Sequence, residues 1–161
     1  MSGARRPAKA GAAGGLRLDD YLPYRLSVAA NAVSDLIARA YQTRFGLTVP
    51  QWRLIAVLGE DGPATQQALC ARTVMDKVTV SRAAAALTER GLVSRTPNET
   101  DGRSHRLGLT AEGQALYADV APSALAYEAQ LLEAFTPFEQ QTTHNLLRRL
   151  EAAAMALTSK D

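Results

Sequence analysis

The residues with reactive side chains that lie closest together in this sequence are Asp101, Ser104 and His105. An aspartate, a serine and a histidine are the groups of a hydrolase triad, in which the imidazole takes the serine proton and the carboxylate orients the imidazole. Ser104 and His105, however, are neighbours in a segment that alternates like a strand, where adjacent side chains point to opposite faces. Nothing beside them offers an oxyanion hole. The sequence therefore predicts no catalytic site and a protein that is not an enzyme.

Few residues of this chain could bind a metal or react as a thiol, because it has two histidines and one cysteine, far apart in sequence. These residues do not make a zinc site, and we expect neither a metal nor a cofactor. Cys70 has no partner for an intrachain disulfide, which suits a reducing compartment. We expect Cys70 to be a small buried residue, because its neighbours Ala68, Leu69 and Ala71 are expected to face inward. An intermolecular disulfide or a redox-reactive thiol is the alternative for Cys70.

The basic side chains offer a third chemistry, which is the binding of phosphate. The formal net charge is only +2, but it is unevenly distributed. Residues 1–75 hold nine basic and five acidic side chains, residues 76–106 hold six and four, and residues 107–161 hold three and seven. The basic excess therefore lies in the first two thirds of the chain. This asymmetry is compatible with nucleic-acid binding and equally with a solvated surface, so the motifs have to decide.

Length and composition indicate one globular unit, because 161 residues of which 47% are hydrophobic can bury a single core of ordinary size. No apolar run approaches the roughly 18 to 20 residues of a membrane span, and the N-terminus lacks the apolar stretch of a secretory signal. We therefore expect no membrane partner and a cytoplasmic location. Residues 1–15 are mainly Gly, Ala, Ser and Pro with three basic side chains, which predicts a disordered basic tail.

Helix signals follow this tail. Apolar residues spaced three and four apart predict a long amphipathic helix from Leu18 to Phe45, ended by Gly46. Thr48 and Gln51 have the form of a capping box, and further N-caps are predicted at Thr65, Asp76 and Thr110. The later helices are predicted at residues 49–59, 66–72, 77–90, 111–134 and 138–157, with Pro137 in the first turn of the last and Pro122 kinking or interrupting the one before.

Between the fourth and fifth helices the period changes from helical to alternating. Residues 92–95 and 106–109 flank the turn-rich segment 97–102, which predicts a β-hairpin with a loose polar tip. The predicted fold is therefore mainly α with a small β-hairpin wing.

The order of these elements predicts a winged helix-turn-helix DNA-binding unit over residues 48–109. The helices at 16–46 and 110–158 carry large apolar faces that this unit cannot cover, so we expect them to be dimerisation helices. Residues 16–161 would then form a single domain that assembles as a homodimer.

Four segments of the sequence resemble the MarR (multiple antibiotic resistance regulator) family. They are Leu47–Arg53 (LTVPQWR), Asp76–Arg82 (DKVTVSR), Leu87–Val93 (LTERGLV) and a wing signature, Arg95-x-Pro97-x-x-x-Asp101-x-Arg103-x-x-x-Leu107-x-Leu109-Thr110-x-x-Gly113. The resemblance covers residues 48–113 and agrees with the helix order on either side. It implies homodimers that bind palindromic operators in double-stranded DNA, usually as repressors released by a small ligand or by oxidation.

The fourth helix is the expected reading helix. Its inward face is predicted to hold Val80, Ala84 and Leu87, which leaves the opposite side for a major groove about 12 Å wide. Arg82 is expected to pair with guanine, and short side chains around it allow close approach. The other predicted DNA contacts on this helix are Lys77, Val78, Thr79 and Ser81. The alternative is an ordinary exposed face of a core helix.

The wing is the second expected contact. Asp101 and Arg103 flank a glycine, so the carboxylate can orient the guanidinium, and the family pattern implies that this arginine enters the minor groove. Gly102 replaces the second basic residue common at the wing tip. Further contacts are expected from Arg95, His105 and Arg106. A surface ion pair of little energetic consequence is the alternative for Asp101 and Arg103.

A ligand site is implied where the dimerisation helices meet the winged unit. An arginine beside aromatic rings suits an aromatic carboxylate or its thioester. The candidate residues are Tyr21, Tyr24, Arg25, Asn31, Trp52 and Arg53, of which Trp52 fits a place in the core better than one in a pocket.

Three functional hypotheses follow from the sequence. The first is a transcriptional repressor released by a small ligand, and the second is a redox regulator that senses oxidants through Cys70. Thiol sensors of the family carry their reactive cysteine near the start of the first helix, where this sequence has none. The third hypothesis is a DNA-binding adaptor that needs no ligand.

Overall fold

The structure is a computed structural model that describes residues 15–98 and 101–159, with the side chains of residues 101–103 outside the description. After a short 3-10 helix at Leu18–Asp20, the described chain forms α1 (Leu22–Phe45), α2 (Val49–Asp61), β1 (Ala64–Thr65), α3 (Gln66–Thr73), α4 (Lys77–Glu89), β2 (Val93–Asn98), β3 (Asp101–Leu109), α5 (Ala111–Leu131) and α6 (Pro137–Thr158). The prediction of a mainly helical fold with a β-hairpin wing is confirmed. The expected tail falls almost entirely on residues 1–14, outside the described part.

The predicted helix starts are confirmed in detail. The hydroxyl of Thr48 accepts from the N–H of Gln51 at 3.4 Å, and the Gln51 side chain accepts from the N–H of Thr48 at 2.9 Å. Thr65, Asp76 and Thr110 each accept a hydrogen bond from the backbone N–H three residues later. These contacts satisfy N–H groups that a helix leaves without an internal partner.

Helix α2 is longer than the sequence predicted, because it passes through Gly59 and ends at Asp61. A Cβ at Gly59 would lie 2.8 Å from the ring of Tyr117 on α5. The glycine is therefore a site of close helix packing rather than a helix end. Helix α5 likewise continues through Pro122 without interruption and stops at Leu131, three residues before the predicted end.

The sheet has three antiparallel strands in the order β1-β3-β2. The predicted hairpin is β2 and β3, in which Val93 pairs with Leu109. Strand β1 was not predicted, because two residues are too few to show a period of two. It pairs Ala64 with Leu107 and so attaches the base of the wing to the segment between α2 and α3.

The core lies in the winged unit and is built from α2, α4 and the sheet. The predicted inward face of α4 is confirmed, since Val80, Ala84 and Leu87 are buried, together with Ala83. In contrast, Ala68 and Ala71 are exposed, so the prediction that they face inward is wrong. Leu69 and Thr73 are the buried pair of α3, because residues four apart lie on the same face of a helix.

Helix α6 contributes no buried residue to this core. Leu146, Leu147 and Leu150 are exposed along it, as is Phe135 just before it. Leu132 is half-buried. This apolar face is consistent with the expectation that the C-terminal helices are covered by a second copy.

Candidate nucleic-acid interface

Helix α4 begins at Asp76, whose carboxylate accepts hydrogen bonds from the backbone N–H of Thr79 at 2.8 Å and from its hydroxyl at 2.6 Å. These bonds hold the pKa of Asp76 below its usual value because they stabilise the ionised form. The Gln66 side-chain amide donates to the carbonyl of Lys77 at 3.3 Å and joins the start of α3 to the start of α4. The N-terminus of α4 is therefore fixed by side chains on both sides.

The exposed side of α4 carries the residues that the sequence predicted for it. Lys77, Val78, Ser81 and Arg82 are all exposed, opposite the buried face. Thr79 differs, because it is half-buried and its hydroxyl donates to Asp76. Its first role is thus to hold the N-cap rather than to present a free hydroxyl proton.

A concave surface joins α3, the start of α4 and the wing. It encloses a volume of about 440 Å³. Lys77, Arg95 and His105, predicted separately from helix and wing, all line it, alongside the amides of Gln66 and Gln67. The structure therefore brings two cations and an imidazole to one cavity, an arrangement suited to a phosphate group.

Arg106, which is expected to contact phosphate, is exposed and makes a contact within the chain. Its guanidinium donates to the carbonyl of Pro63, in the turn between α2 and β1. Residue 106 also pairs with Thr65 in the sheet. Arg106 therefore braces the base of the wing against the helical part of the unit.

For the predicted pair at the wing tip, Asp101 and Arg103, the structure describes the backbone only. Asp101 begins β3 and lies opposite Asn98 in the hairpin register. The side chains of Asp101 and Arg103 are outside the described residues. Their roles stay predictions.

An aromatic cluster occupies the junction of α1, α2 and α5. The ring of Trp52 lies 5.4 Å from that of Tyr41 in an edge-on arrangement and stacks on Tyr117 at 6.2 Å. Tyr127 contacts Tyr41 edge-on at 6.5 Å. Burial and then the neighbouring Tyr127 raise the pKa of Tyr41, so this phenol stays neutral. Trp52 is half-buried against the core, which favours its core interpretation.

The predicted ligand residues at and near the start of α1 are not beside this cluster. Tyr24, Arg25 and Asn31 are exposed in the first half of α1, and Tyr21 is exposed at its N-cap. A helix rises about 1.5 Å per residue, so Asn31 is on the order of 15 Å along the axis from Tyr41. Arg53 is exposed on α2. Within one chain, the structure therefore does not assemble these residues into one site.

Three residues of this junction were missed by sequence reasoning, namely Tyr41, Tyr117 and Tyr127. Each lies within an apolar helical pattern, and nothing in that pattern shows which rings meet across helices. Beside them, Arg44, Ser123 and Tyr127 line a separate cleft of about 260 Å³ between α1 and α5.

Cys70 is half-buried and packs against the core, although its neighbours Ala68 and Ala71 do not face inward. In the described ranges, no group of three or more His, Cys, Asp or Glu residues could hold a metal ion. None of the helices there combines the length and apolarity that crossing a membrane requires.

The helix pair α3 and α4, with a hairpin beside it and helices on both sides, defines a winged helix-turn-helix DNA-binding protein. Residues 45–104 match the family model described as MarR family. An HTH-type transcriptional regulator of Bacillus subtilis, YwoH, is 31% identical over 104 residues, which are 65% of this chain and 75% of the relative. The chain belongs to the MarR family of transcriptional regulators.

Two further proteins are similar to this chain. The crystal structure of a MarR/EmrR family regulator from Acinetobacter sp. ADP1 has a TM-score of 0.81 and 28% identity, and the match covers 88% of this chain and 99% of that one. The homoprotocatechuate degradative operon repressor of Escherichia coli is 29% identical over 107 residues, which are 66% of this chain and 68% of the relative.

Proposed function

We propose that this protein is a homodimeric repressor that reads a palindromic operator with α4 and its wing and is released by a small molecule. The observation that carries the proposal is the concave surface lined by Lys77, Arg95 and His105, next to the exposed side of α4. Phosphate contacts at this surface would fix the register, and the side chains of α4 would read base edges. Because bacterial operators lie in the cytoplasm, the proposal implies that location.

Arg82 provides the test of sequence reading. It is exposed about one turn after the N-terminus of α4, the end that enters the major groove in helix-turn-helix proteins. We expect Arg82→Ala to weaken binding to the operator by about 1 to 3 kcal/mol, as for loss of one bidentate base contact, and to weaken non-specific binding much less. Ser81→Ala, a neighbouring exposed change, should cost less because a hydroxyl makes a neutral hydrogen bond.

The measurement is a pair of titrations with the operator and a scrambled duplex at one salt concentration. The operator is first selected from a random duplex library. Arg82 and Ser81 lie away from the buried Val80, Ala84 and Leu87, so both variants should remain folded dimers. An equal loss on both duplexes would make Arg82 a phosphate contact and move sequence reading to Lys77 or the wing.

Dimerisation is supported by the exposed leucines of α6. We expect a dimer at submicromolar concentration because Leu146, Leu147 and Leu150 present apolar area that water solvates poorly. Leu147→Lys should shift the equilibrium to monomer. Sedimentation of the unmodified chain as a stable folded monomer would contradict the proposal.

An aromatic carboxylate is the proposed effector, and the cluster around Trp52 supports it. A ring can pack against Trp52 and Tyr117, and Arg53 or the first half of α1 from a second copy would meet the carboxylate. The name of the Escherichia coli relative refers to homoprotocatechuate, which is an aromatic acid. Trp52 is the only tryptophan, so its fluorescence reports binding directly. Titration with hydroxylated phenylacetates should quench it and release the operator.

The two alternatives are outcomes of the same release assay. Release by peroxide that disappears in Cys70→Ser would favour the redox regulator. Operator binding that neither peroxide nor aromatic acids change would favour the DNA-binding adaptor.

A further inference from the structure

Val74, in the turn between α3 and α4, has an unusual backbone conformation. Its φ of 53° and ψ of 37° are left-handed, and it is the one non-glycine residue with positive φ in the described ranges. An L-residue in this region brings its Cβ close to the following carbonyl oxygen, and a β-branched side chain fits worst. Glycine would adopt this turn without strain.

Packing within the protein does not explain the valine. Val74 is 79% exposed, whereas Thr73 before it is buried and Met75 after it packs against the core. The turn thus directs its neighbours inward and Val74 outward. The left-handed conformation is a common way for a helix to end, here α3 at its C-cap. A valine instead of a glycine at this position, with its apolar side chain in solvent, is costly for the free chain.

Val78 is the second exposed valine of this region. It is 57% exposed at the second position of α4, so Val74 and Val78 stand two residues before and two residues after the N-cap, Asp76. This is the end of α4 that enters the major groove under the proposed function. The C5-methyl of thymine is the apolar group that base edges present in that groove.

We propose that Val74 and Val78 together form a contact surface for the C5-methyl of a thymine in each operator half-site, and that Val74 determines specificity although it precedes the reading helix. This inference rests on the proposed entry of α4 into the major groove. It assigns to the strained turn a role in reading the operator.

The test removes the methyl from DNA and the valine from the protein. In an operator selected from a random duplex library by the full chain, each thymine of a half-site is replaced singly by deoxyuridine. We expect one position at which this change weakens binding about three- to fivefold, as for burial of one methyl group. Val74→Gly should weaken binding to the unmodified operator by a similar factor and abolish the difference between thymine and deoxyuridine at that position.

Stability separates this role from damage to the fold. Val74→Gly should raise the midpoint of thermal unfolding, because glycine relieves the left-handed strain, while its operator affinity falls. Val74→Ala is the matched control, since it keeps a Cβ on the strained backbone but removes both methyl groups. It should lose the same sensitivity to deoxyuridine with a smaller gain in stability than Val74→Gly.

The contrary outcomes are distinct. The assignment of Val74 is wrong if no replacement of thymine by deoxyuridine weakens operator binding. It is also wrong if Val74→Gly and Val74→Ala distinguish thymine from deoxyuridine as strongly as the unmodified chain does. In either case α4 can still read the operator. If no sequence is enriched from the library, the proposed function fails and this inference fails with it.

Discussion

The guanidinium of Arg90 donates hydrogen bonds to the carbonyl oxygen of Gly46 at 2.8 Å and to that of Phe45 at 3.3 Å. Arg90 is the C-cap of α4, whereas Phe45 and Gly46 end α1. The last carbonyls of a helix have no partner within it, and a cation there also interacts favourably with the helix dipole. Arg90 therefore connects the proposed reading helix to a proposed dimerisation helix.

We expect Arg90→Ala to lower the free energy of unfolding by about 1 kcal/mol, because the charged hydrogen bonds are lost at an exposed position. Arg90→Lys keeps the charge but cannot donate to both carbonyls in the same geometry. Its free energy of unfolding should therefore lie between that of Arg90→Ala and that of the unmodified chain. Urea unfolding measures both variants. Operator affinity should fall in the same order, and an unchanged stability of Arg90→Ala would show that this connection contributes nothing.

The close approach of Gly59 to Tyr117 gives a second prediction. In Gly59→Ala, the added Cβ would lie 2.8 Å from the tyrosine ring, so the ring must move from Trp52. We expect a loss of about 1 to 3 kcal/mol in the free energy of unfolding, as for overpacked cores. Because Trp52 is the only tryptophan, its fluorescence spectrum should shift.

The control for this prediction is the double variant. With Tyr117→Ala in place, Gly59→Ala meets no ring and gains helix propensity, so it should be neutral or stabilising by up to about 1 kcal/mol. The same loss in both backgrounds would mean that the ring contact is not the cause.

The winged unit was predictable because its determinants are local. Thr48 and Gln51, or Asp76 and Thr79, are three residues apart and make their contacts within one helical turn. The inward face of α4 follows from spacing alone.

Contacts between distant segments were not predictable in this way. The stacking of Trp52 on Tyr117 and the bond from Arg106 to Pro63 join residues that lie 65 and 43 positions apart. Sequence reasoning identifies such residues as aromatic or basic, but the partner depends on how the helices and the sheet pack. The contact of Arg106 with Pro63 was therefore not predicted, and Tyr117 was not singled out.

The wing gives a third prediction, which compares two of its arginines. Arg103→Ala should weaken binding to operator and unrelated DNA alike and make the salt dependence shallower, because it removes charge near the DNA. Asp101→Ala should have a similar but milder effect. Arg106→Ala should lower stability and change the salt slope less than Arg103→Ala, since the Arg106 guanidinium keeps its charge but is held at the base of the wing by the carbonyl of Pro63. Equal slopes for all three variants and the unmodified chain would remove the wing from the mechanism.

The N-cap of α4 gives the last prediction, which concerns pH. Hydrogen bonds from the hydroxyl and the N–H of Thr79 lower the pKa of Asp76 in the folded chain. The carboxylate therefore stabilises the fold fully above its unfolded pKa of about 3.9, and this contribution is lost as pH falls through the lower folded value. Urea unfolding of Asp76→Asn between about pH 5 and pH 2 should show a shallower loss of stability than the unmodified chain.

A second carboxylate must be separated from this effect. Thr136 lowers the pKa of Glu139 through the capping box of α6, so Glu139→Gln is the matched control and should flatten the same pH region. The two differ in DNA binding. Asp76 lies at the end of α4 proposed to face phosphates, so Asp76→Asn should strengthen non-specific binding at neutral pH, whereas Glu139→Gln should not. Equal effects of the two variants on DNA affinity would mean that the N-terminus of α4 does not approach the DNA.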